Sequence, residues 1–477
     1  MRTLYKYFFL LLSCAIVFAC GGGNGGGGDT SQPTTPTGLT ASATSASKID
    51  LSWTASTDNV GTAGYKIYRN GVYLKSESGV STSDTGLSAG TQYCYTVSAY
   101  DAANNESAQS VQVCAATSVP VWSKTYDMGI GQSVKQTSDG GYIIVGTVEY
   151  KIGNYLYLVK TDATGEPLWK KIFVIDGSGK DYGRSVQQTS DGGYIILGEY
   201  TMGSNRQMWL IKLDSKGNDE WDHFYGYDNY DENAAEVQQT EDGGYILIGT
   251  TLQNPSNVFL VKTDKDGNVV WYKQKGYDDS GEGGTSVRQT SDHGFIFTGW
   301  TNQFDRYSSD LWLVKLDANG NTVWHQHYGN QDNYDTGNSV RQTTDGGYII
   351  AGSTWIPFDQ EDFFLLKTDS VGNQQWSRKF GGPKTDSGAQ VDLTNDGGYV
   401  VAGFYSHDTG ESDGYLTKLD AQGTPLWENI FGGTGYDYFY SVQPTADGGY
   451  IMTGSTQQGG ETYVYLVKTD SKGSSLP

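Results

Sequence analysis

Six carboxylates recur at one position of this chain. Asp181, Glu232, Glu282, Asp335, Asp386 and Asp437 each stand five residues before a Val, and a seventh copy of the position holds Gly129. Grouped acids offer hard oxygen ligands of the kind Ca²⁺ takes. A pair at the right separation would also serve glycoside hydrolysis as general acid and base. The plainer alternative is a solvated acidic rim built from turn-forming Asp, and no EF-hand-like loop spacing accompanies the acids. Aromatics gather in irregular segments: Trp300, Phe304 and Tyr307, then Trp355 and Phe358, then Phe404, Tyr405 and His407. Aromatic faces beside carboxylates suit sugars or peptides, and the alternative is that these residues fold back onto the elements below them. The five histidines do not recur. His325 and His327 are spaced as two ligands on one strand face, but no third ligand is evident. No Cys-x-x-Cys-His haem site is present, and no nucleophile stands in a motif with a base, so no catalytic residue is assigned.

These residues are carried by a repeat. The turn Asp-Gly-Gly-Tyr begins at Asp139, Asp191, Asp242, Asp345, Asp396 and Asp447, and Asp292-His293-Gly294-Phe295 is a degenerate copy; the spacing is 50 to 53 residues. Each turn lies between two strand-like runs and reads as a hairpin with Gly at positive φ. A second element follows, Lys-x-Asp-x-x-Gly-x-x-x-Trp, with Lys160, Lys212, Lys262, Lys315, Lys367, Lys418 and Lys468. Lys and Asp at i and i+2 share a strand face and read as a structural ion pair between neighbouring units. A residue present in every copy builds the repeat, so function is expected where the copies differ. Each unit holds four short strands, which predicts a seven-bladed β-propeller over 119–477. The last unit lacks its Trp strand, while Pro120-Val121-Trp122 matches Pro167-Leu168-Trp169 and Pro425-Leu426-Trp427. That N-terminal strand is expected to complete the last blade and close the ring, removing exposed edges.

The Asp-x-x-Gly-x-x-x-Trp element resembles the tryptophan-docking motif of quinoprotein-type propellers. The resemblance implies that Trp122, Trp169, Trp221, Trp271, Trp324, Trp376 and Trp427 lock neighbouring blades together, and that the Val-bearing strand is innermost. The six acids and the aromatic segments, chiefly Trp300, Tyr307, Trp355 and Tyr405, would then share one channel face. Seven units rather than eight, and a propeller without Cys, depart from the quinoprotein dehydrogenases. The resemblance therefore bears on architecture and not on quinone chemistry.

Upstream, 36–118 alternates apolar and polar residues. Ile49, Leu51 and Trp53 share one face, an Asn70-Gly71 turn closes another strand, and Tyr93, Tyr95, Val97 and Ala99 share a third. With Trp53, Leu87 and Thr91-x-Tyr93, this segment resembles a fibronectin type III domain of the bacterial secreted kind, an immunoglobulin-like β-sandwich. Cys94 points away from the core tyrosines of its strand. An antiparallel pairing centred near Asn104 places Cys114 opposite, which predicts a cross-strand disulfide.

Before this, a basic start at Arg2 and Lys6 and an apolar run from Phe8 to Ala19 end at Cys20. Val17-Phe18-Ala19-Cys20 resembles a bacterial lipobox. By that resemblance 1–19 is a signal peptide and Cys20 is lipidated and membrane-anchored. Residues 20–35, rich in Gly, Ser, Thr and Pro, form a tether. The formal charge of −22 argues against nucleic acid. The expectation is a monomeric, lipid-anchored protein of the bacterial outer membrane or cell surface, binding a polysaccharide or an envelope protein. No cofactor is predicted, with Ca²⁺ the cation the acids would suit. The alternatives are a carbohydrate-active hydrolase or lyase using channel-face acids, and an envelope-assembly scaffold.

Overall fold

The computed structural model describes residues 29–150, 153–175, 180–203, 205–303, 308–329, 333–355, 361–381, 384–408 and 410–474. Cys20, the signal segment and most of the tether lie outside them. The chain divides into two compact units, Met1–Gly86 with Gln92–Ala116, and Leu87–Thr91 with Thr117–Pro477.

The first unit is a two-sheet β-sandwich. One sheet orders β1 (Thr37–Ser45), β2 (Lys48–Thr54) and β5 (Ser81–Thr85); the other orders β4 (Val72–Glu77), β3 (Thr62–Arg69), β6 (Gln92–Asp101) and β7 (Val113–Ala116). Alternation dictates the packing: Ile49, Leu51 and Trp53 are buried while Ser52 and Thr54 face water, and Tyr95, Val97 and Ala99 close the core from β6. Asn70 and Gly71 both take positive φ, 51° and 79°, which lets a two-residue hairpin match the strand twist. Cys94 and Cys114 are register partners on β6 and β7, and a disulfide joins them. The Tyr95 hydroxyl donates to buried Asp84, which also pairs with Arg69.

The second unit is all-β, but among the described residues seven separate four-stranded blades closed into a propeller are not formed. Its strands assort into five four-stranded sheets and one seven-stranded sheet. The cause is β8 (Trp122–Gln136), 15 residues long. Its first part, from Trp122 to Met128, pairs with Glu461–Thr469. Its second part, from Gly129 to Gln136, pairs with β9 (Tyr142–Tyr150). The strand expected to finish the last repeat and the first strand of the first repeat are thus one continuous strand. It fuses β9, β10 (Gly153–Thr161) and β11 (Pro167–Ile172) with the three strands of 437–469.

The four-stranded sheets follow one plan, seen in β12 (Tyr182–Gln188), β13 (Tyr194–Met202), β14 (Asn205–Leu213) and β15 (Asp219–Tyr225). The second and third strands are buried on both faces, so they read as continuous apolar runs, as in Tyr245–Thr251. The fourth strand is mostly solvated. Apolar cores form between consecutive sheets: Val145 and Leu158 meet Ile196 and Trp209, and Leu197 and Leu210 meet Leu247 and Phe259. Every first strand carries a bulge opposite a Gly of the second strand, Gly146, Gly198, Gly249, Gly299, Gly352, Gly403 or Gly454. A Cβ there would lie 1.7 to 2.6 Å from a first-strand carbonyl oxygen, so only Gly admits the bulge.

The repeated lysines are almost wholly buried, with side-chain exposures of 1 to 7%. Their partner is not the Asp two residues on. Each ammonium meets the Asp of its own Asp-Gly-Gly turn, 20 to 23 residues earlier, at 2.8 to 3.0 Å, and also donates to a backbone carbonyl of its own strand. The hairpin register brings the pair together within one repeat, and the i+2 Asp instead caps the following turn through the N–H groups two and four residues on.

In six of these pairs the turn Asp, Asp139, Asp191, Asp242, Asp292, Asp345 or Asp396, titrates low. Burial alone would raise Asp396, but the Thr394 hydroxyl, Lys418 and the Gly398 N–H outweigh it and bring it down to about 2 from 3.8. A depressed carboxyl contributes stability above its unfolded pKa and loses it as pH falls through the folded one. Asp396 is 61% exposed, so the pair ranks between a surface and a buried bridge. Asp396→Asn should cost about 2 kcal/mol in urea unfolding at neutral pH, and the difference from wild type should vanish as pH approaches 2. An undiminished difference in acid would show that the cost is not ionic.

Candidate functional site

The six acids stand at or just before the start of first strands, and none of them lies in solvent: their exposures are 0 to 5%. A carboxylate so placed needs donors, and loop and strand-end backbone, with nearby hydroxyls, supplies them. Asp386 accepts the Ser406 N–H at 2.8 Å, and Asp437 accepts that of Gly433 at 3.1 Å. Glu282 takes the Tyr277 N–H at 3.1 Å and the Thr301 hydroxyl at 2.9 Å. The acids therefore pin the loops preceding and following them rather than form an open acidic rim.

Second acids, unremarked in the sequence, join three of them. Asp310, Asp362 and Asp413 start third strands or lie near their start, and face Asp335, Asp386 and Asp437 across Gly329, Gly381 and Gly432. A Cβ on Gly432 would come within 2.0 Å of Asp413 Oδ1 and 2.6 Å of Asp437 Oδ2. Burial and then the neighbouring Asp335 raise the Asp310 carboxyl; burial raises Asp437, with Asp413 adding to it. Burial pushes Glu232 up to about 7, only partly opposed by the Tyr227 N–H and the Thr251 hydroxyl.

The aromatics divide. Phe404 and Tyr405, with Phe363, Phe380, Asp386 and Glu428, line a cavity of about 250 Å³ that Lys379 also borders. Phe363 and Phe380 stack at 4.8 Å. His407, 5.2 Å from the Tyr405 ring, holds Asp413 at 2.8 Å. Trp355 is 41% exposed and lies 5.0 Å from the Tyr334 ring. Trp300 packs over Gly283, where a Cβ would lie 2.3 Å from its Nε1. Phe304, Tyr307 and Phe358 fall outside the described residues. His325 Nδ1 and His327 Nε2 face each other at 3.2 Å, and burial depresses His327 to about 4. Among the described residues, the carboxylates that gather three together within 4.8 Å are Asp29, Asp58 and Asp101 of the first unit, not the six repeated acids.

The seven repeated indoles share one environment. Each lies 5.6 to 6.0 Å from the aromatic ring that follows an Asp-Gly-Gly or Asp-His-Gly turn, from Trp122 on Tyr142 to Trp427 on Tyr450. Each also covers a positive-φ turn Gly, as Trp169 covers Gly217 and Trp376 covers Gly423, leaving no room for a Cβ.

A second cavity, of about 340 Å³, lies toward the other end of the first strands. All seven contribute to it, and it gathers Lys135, Glu236, Arg288, Arg341 and Asp392. Arg288 pairs with Glu236, and Arg341 with Asp392 at 3.2 Å. The signal for it stood in the sequence: within the repeating Ser-Val-x-Gln-Thr strand, x changes from copy to copy, and Glu236 takes the place of Ser in one copy.

No protein-family model matches the chain. A stretch of 90 residues, 19% of the chain, is 51% identical to chitinase Chi52 of Paenibacillus xylanexedens and covers 17% of it. A stretch of 89 residues is 47% identical to an alpha-amylase of Niallia circulans and covers 7% of that protein. The chain thus spans less than a fifth of these curated relatives. The likeness is to their fibronectin type III-like regions, and with the sandwich order above it makes the first unit a fibronectin type III domain. Among solved structures, a Dyadobacter fermentans protein of unknown function is similar at 10% identity, with a TM-score of 0.46, over 72% of this chain and 97% of its own.

Glu232 yields a prediction whose sign differs from that of Asp396. A buried acid with a raised pKa destabilises the fold increasingly as pH rises from its unfolded value, 4.5, toward about 7. Glu232→Gln keeps an oxygen for the Tyr227 N–H without the charge. It should raise the melting temperature at pH 8 and leave it unchanged at pH 4. A loss of stability at pH 8 would mean that the ionised carboxylate is needed.

Proposed function

We propose that this chain is a non-catalytic, lipid-anchored protein of the bacterial envelope or cell surface that binds polysaccharide through the cavity of Phe380, Phe404 and Tyr405. That cavity carries the proposal: it sets aromatic faces beside Asp386 and Glu428, the pairing of apolar face and acceptor that a sugar ring fits. The domain that precedes it resembles regions found in a chitinase and an alpha-amylase, proteins whose names place them on polysaccharides. A binding role fits the acids better than turnover does, because Asp386 is fixed by a backbone N–H and the other repeated acids are buried at loop bases.

A screen of the full chain against immobilised polysaccharides, with and without Ca²⁺, tests the binding. Tyr405→Ala should weaken a specific hit about thirtyfold, or roughly 2 kcal/mol, with the far-ultraviolet spectrum unchanged. Cleavage of the bound polymer would refute the non-catalytic reading, and no binding in either condition would leave an envelope protein as the partner.

Anchoring rests on the basic start, the apolar run and Cys20. Cys20→Ser should move the protein from the membrane pellet to the soluble fraction and abolish labelling by an alkyne fatty acid. Retention in the pellet with no label in the wild type would dismiss the lipid anchor.

A further inference from the structure

The cavity shared by the seven first strands has an excess of donors. It holds three cations and two anions, in a protein whose formal charge is −22. Both anions are engaged. Glu236 takes Arg288, the Ser286 hydroxyl at 2.7 Å and the Val287 N–H at 3.1 Å. Asp392 takes Arg341 and the Leu393 N–H. Lys135 has no hydrogen bond or ion pair among the described residues. Three glutamines extend the imbalance. The side-chain oxygens of Gln187, Gln238 and Gln443 accept the backbone N–H of Gln239, Gln289 and Gln136 at 2.7 to 2.9 Å. A backbone N–H only donates, so the oxygen must face it and each amide NH₂ is turned away. These NH₂ groups have no partner among the described residues. Donors of this kind, around one surplus positive charge, want an acceptor carrying negative charge.

We propose that the seven first strands build a binding site for a small polar oxyanion, a carboxylate or phosphate group, held by the Lys135 ammonium and the amides of Gln187, Gln238 and Gln443. The cavity, about 340 Å³, fits a ligand of monosaccharide size. It shares no lining residue with the aromatic cavity, so this site does not depend on the polysaccharide reading. Burial lowers Lys135 to about 8; of the charged groups that face it, Asp392 and Glu236 favour its proton, while Arg341 and Arg288 oppose it. Anion binding consequently belongs to neutral pH.

Isothermal titration of the full chain with inorganic phosphate, with glucuronate and with neutral glucose tests the site. One of the two anions should bind at one site per chain and glucose should not; which anion binds identifies the group. Lys135→Gln should weaken binding at least about tenfold, or 1.4 kcal/mol, and Lys135→Arg should restore it. Gln238→Glu keeps the oxygen that the Gln289 N–H needs but replaces the donor by a carboxylate, so it should abolish binding while preserving the melting temperature. Raising the pH to about 9.5 should weaken the wild type and leave Lys135→Arg unaffected. Absence of heat with both anions, equal binding of glucose, or wild-type affinity in Gln238→Glu would overturn the proposal.

Discussion

One interaction organises the larger unit: a lysine taken almost completely out of water and answered by the aspartate at the tip of its own hairpin, joined at Lys212 by Glu220. An ammonium in that position is tolerable only if the turn holds its shape, because a shift of the carboxylate would leave the charge without a counterion. The Thr hydroxyl and Gly N–H that converge on the same oxygens fix the carboxylate first, and the lysine then locks the third strand against the hairpin. Six of the turns are Asp-Gly-Gly; the seventh tolerates His293, at a φ of 63°, because its aspartate and following Gly are retained. The aspartate, the second Gly of the turn and the lysine are kept in all seven copies.

The part of this that could be seen beforehand is the part set by local chemistry. A two-residue Asn-Gly turn and a pair of cysteines in antiparallel register each act over a short span, and they lie where expected. The lysine was legible as ion-paired, but not its partner, since choosing between an Asp two residues on and one some twenty residues back needs the hairpin register. The merging of sheets was hidden for a similar reason. Trp122 and Val134 look like members of two strands, and nothing in Met128-Gly129 announces that the backbone stays extended between them. The acids misled because a carboxylate near a loop normally seeks water; here backbone N–H groups before and after them in the chain reach them first. In-strand glycine was the missed signal for the bulges.

The first strands also separate two kinds of surface. Their beginnings carry acids that are consumed in holding neighbouring segments, and the ends of the second strands carry irregular aromatics, Trp300, Trp355, Phe404 and Tyr405. Their ends carry the position left free by the repeat, and charge has accumulated there. Both ends are built on the same rigid strands, so variation at either place costs the scaffold little. This arrangement lets one architecture keep its construction residues constant while the faces diverge.

The double pairing of β8 bears on how the chain comes to be made. Trp122 finds Lys468 over three hundred residues away, so half of this strand has no hydrogen-bonding neighbour until nearly the whole chain has been synthesised. During synthesis the earlier sheets can form in turn, but the first strand of the unit waits with an exposed edge, the kind of edge that recruits foreign strands. Final assembly is therefore a long-range event, slow relative to the local hairpins. A chain cut short before its last strand would be left with well-made interior sheets and one adhesive seam.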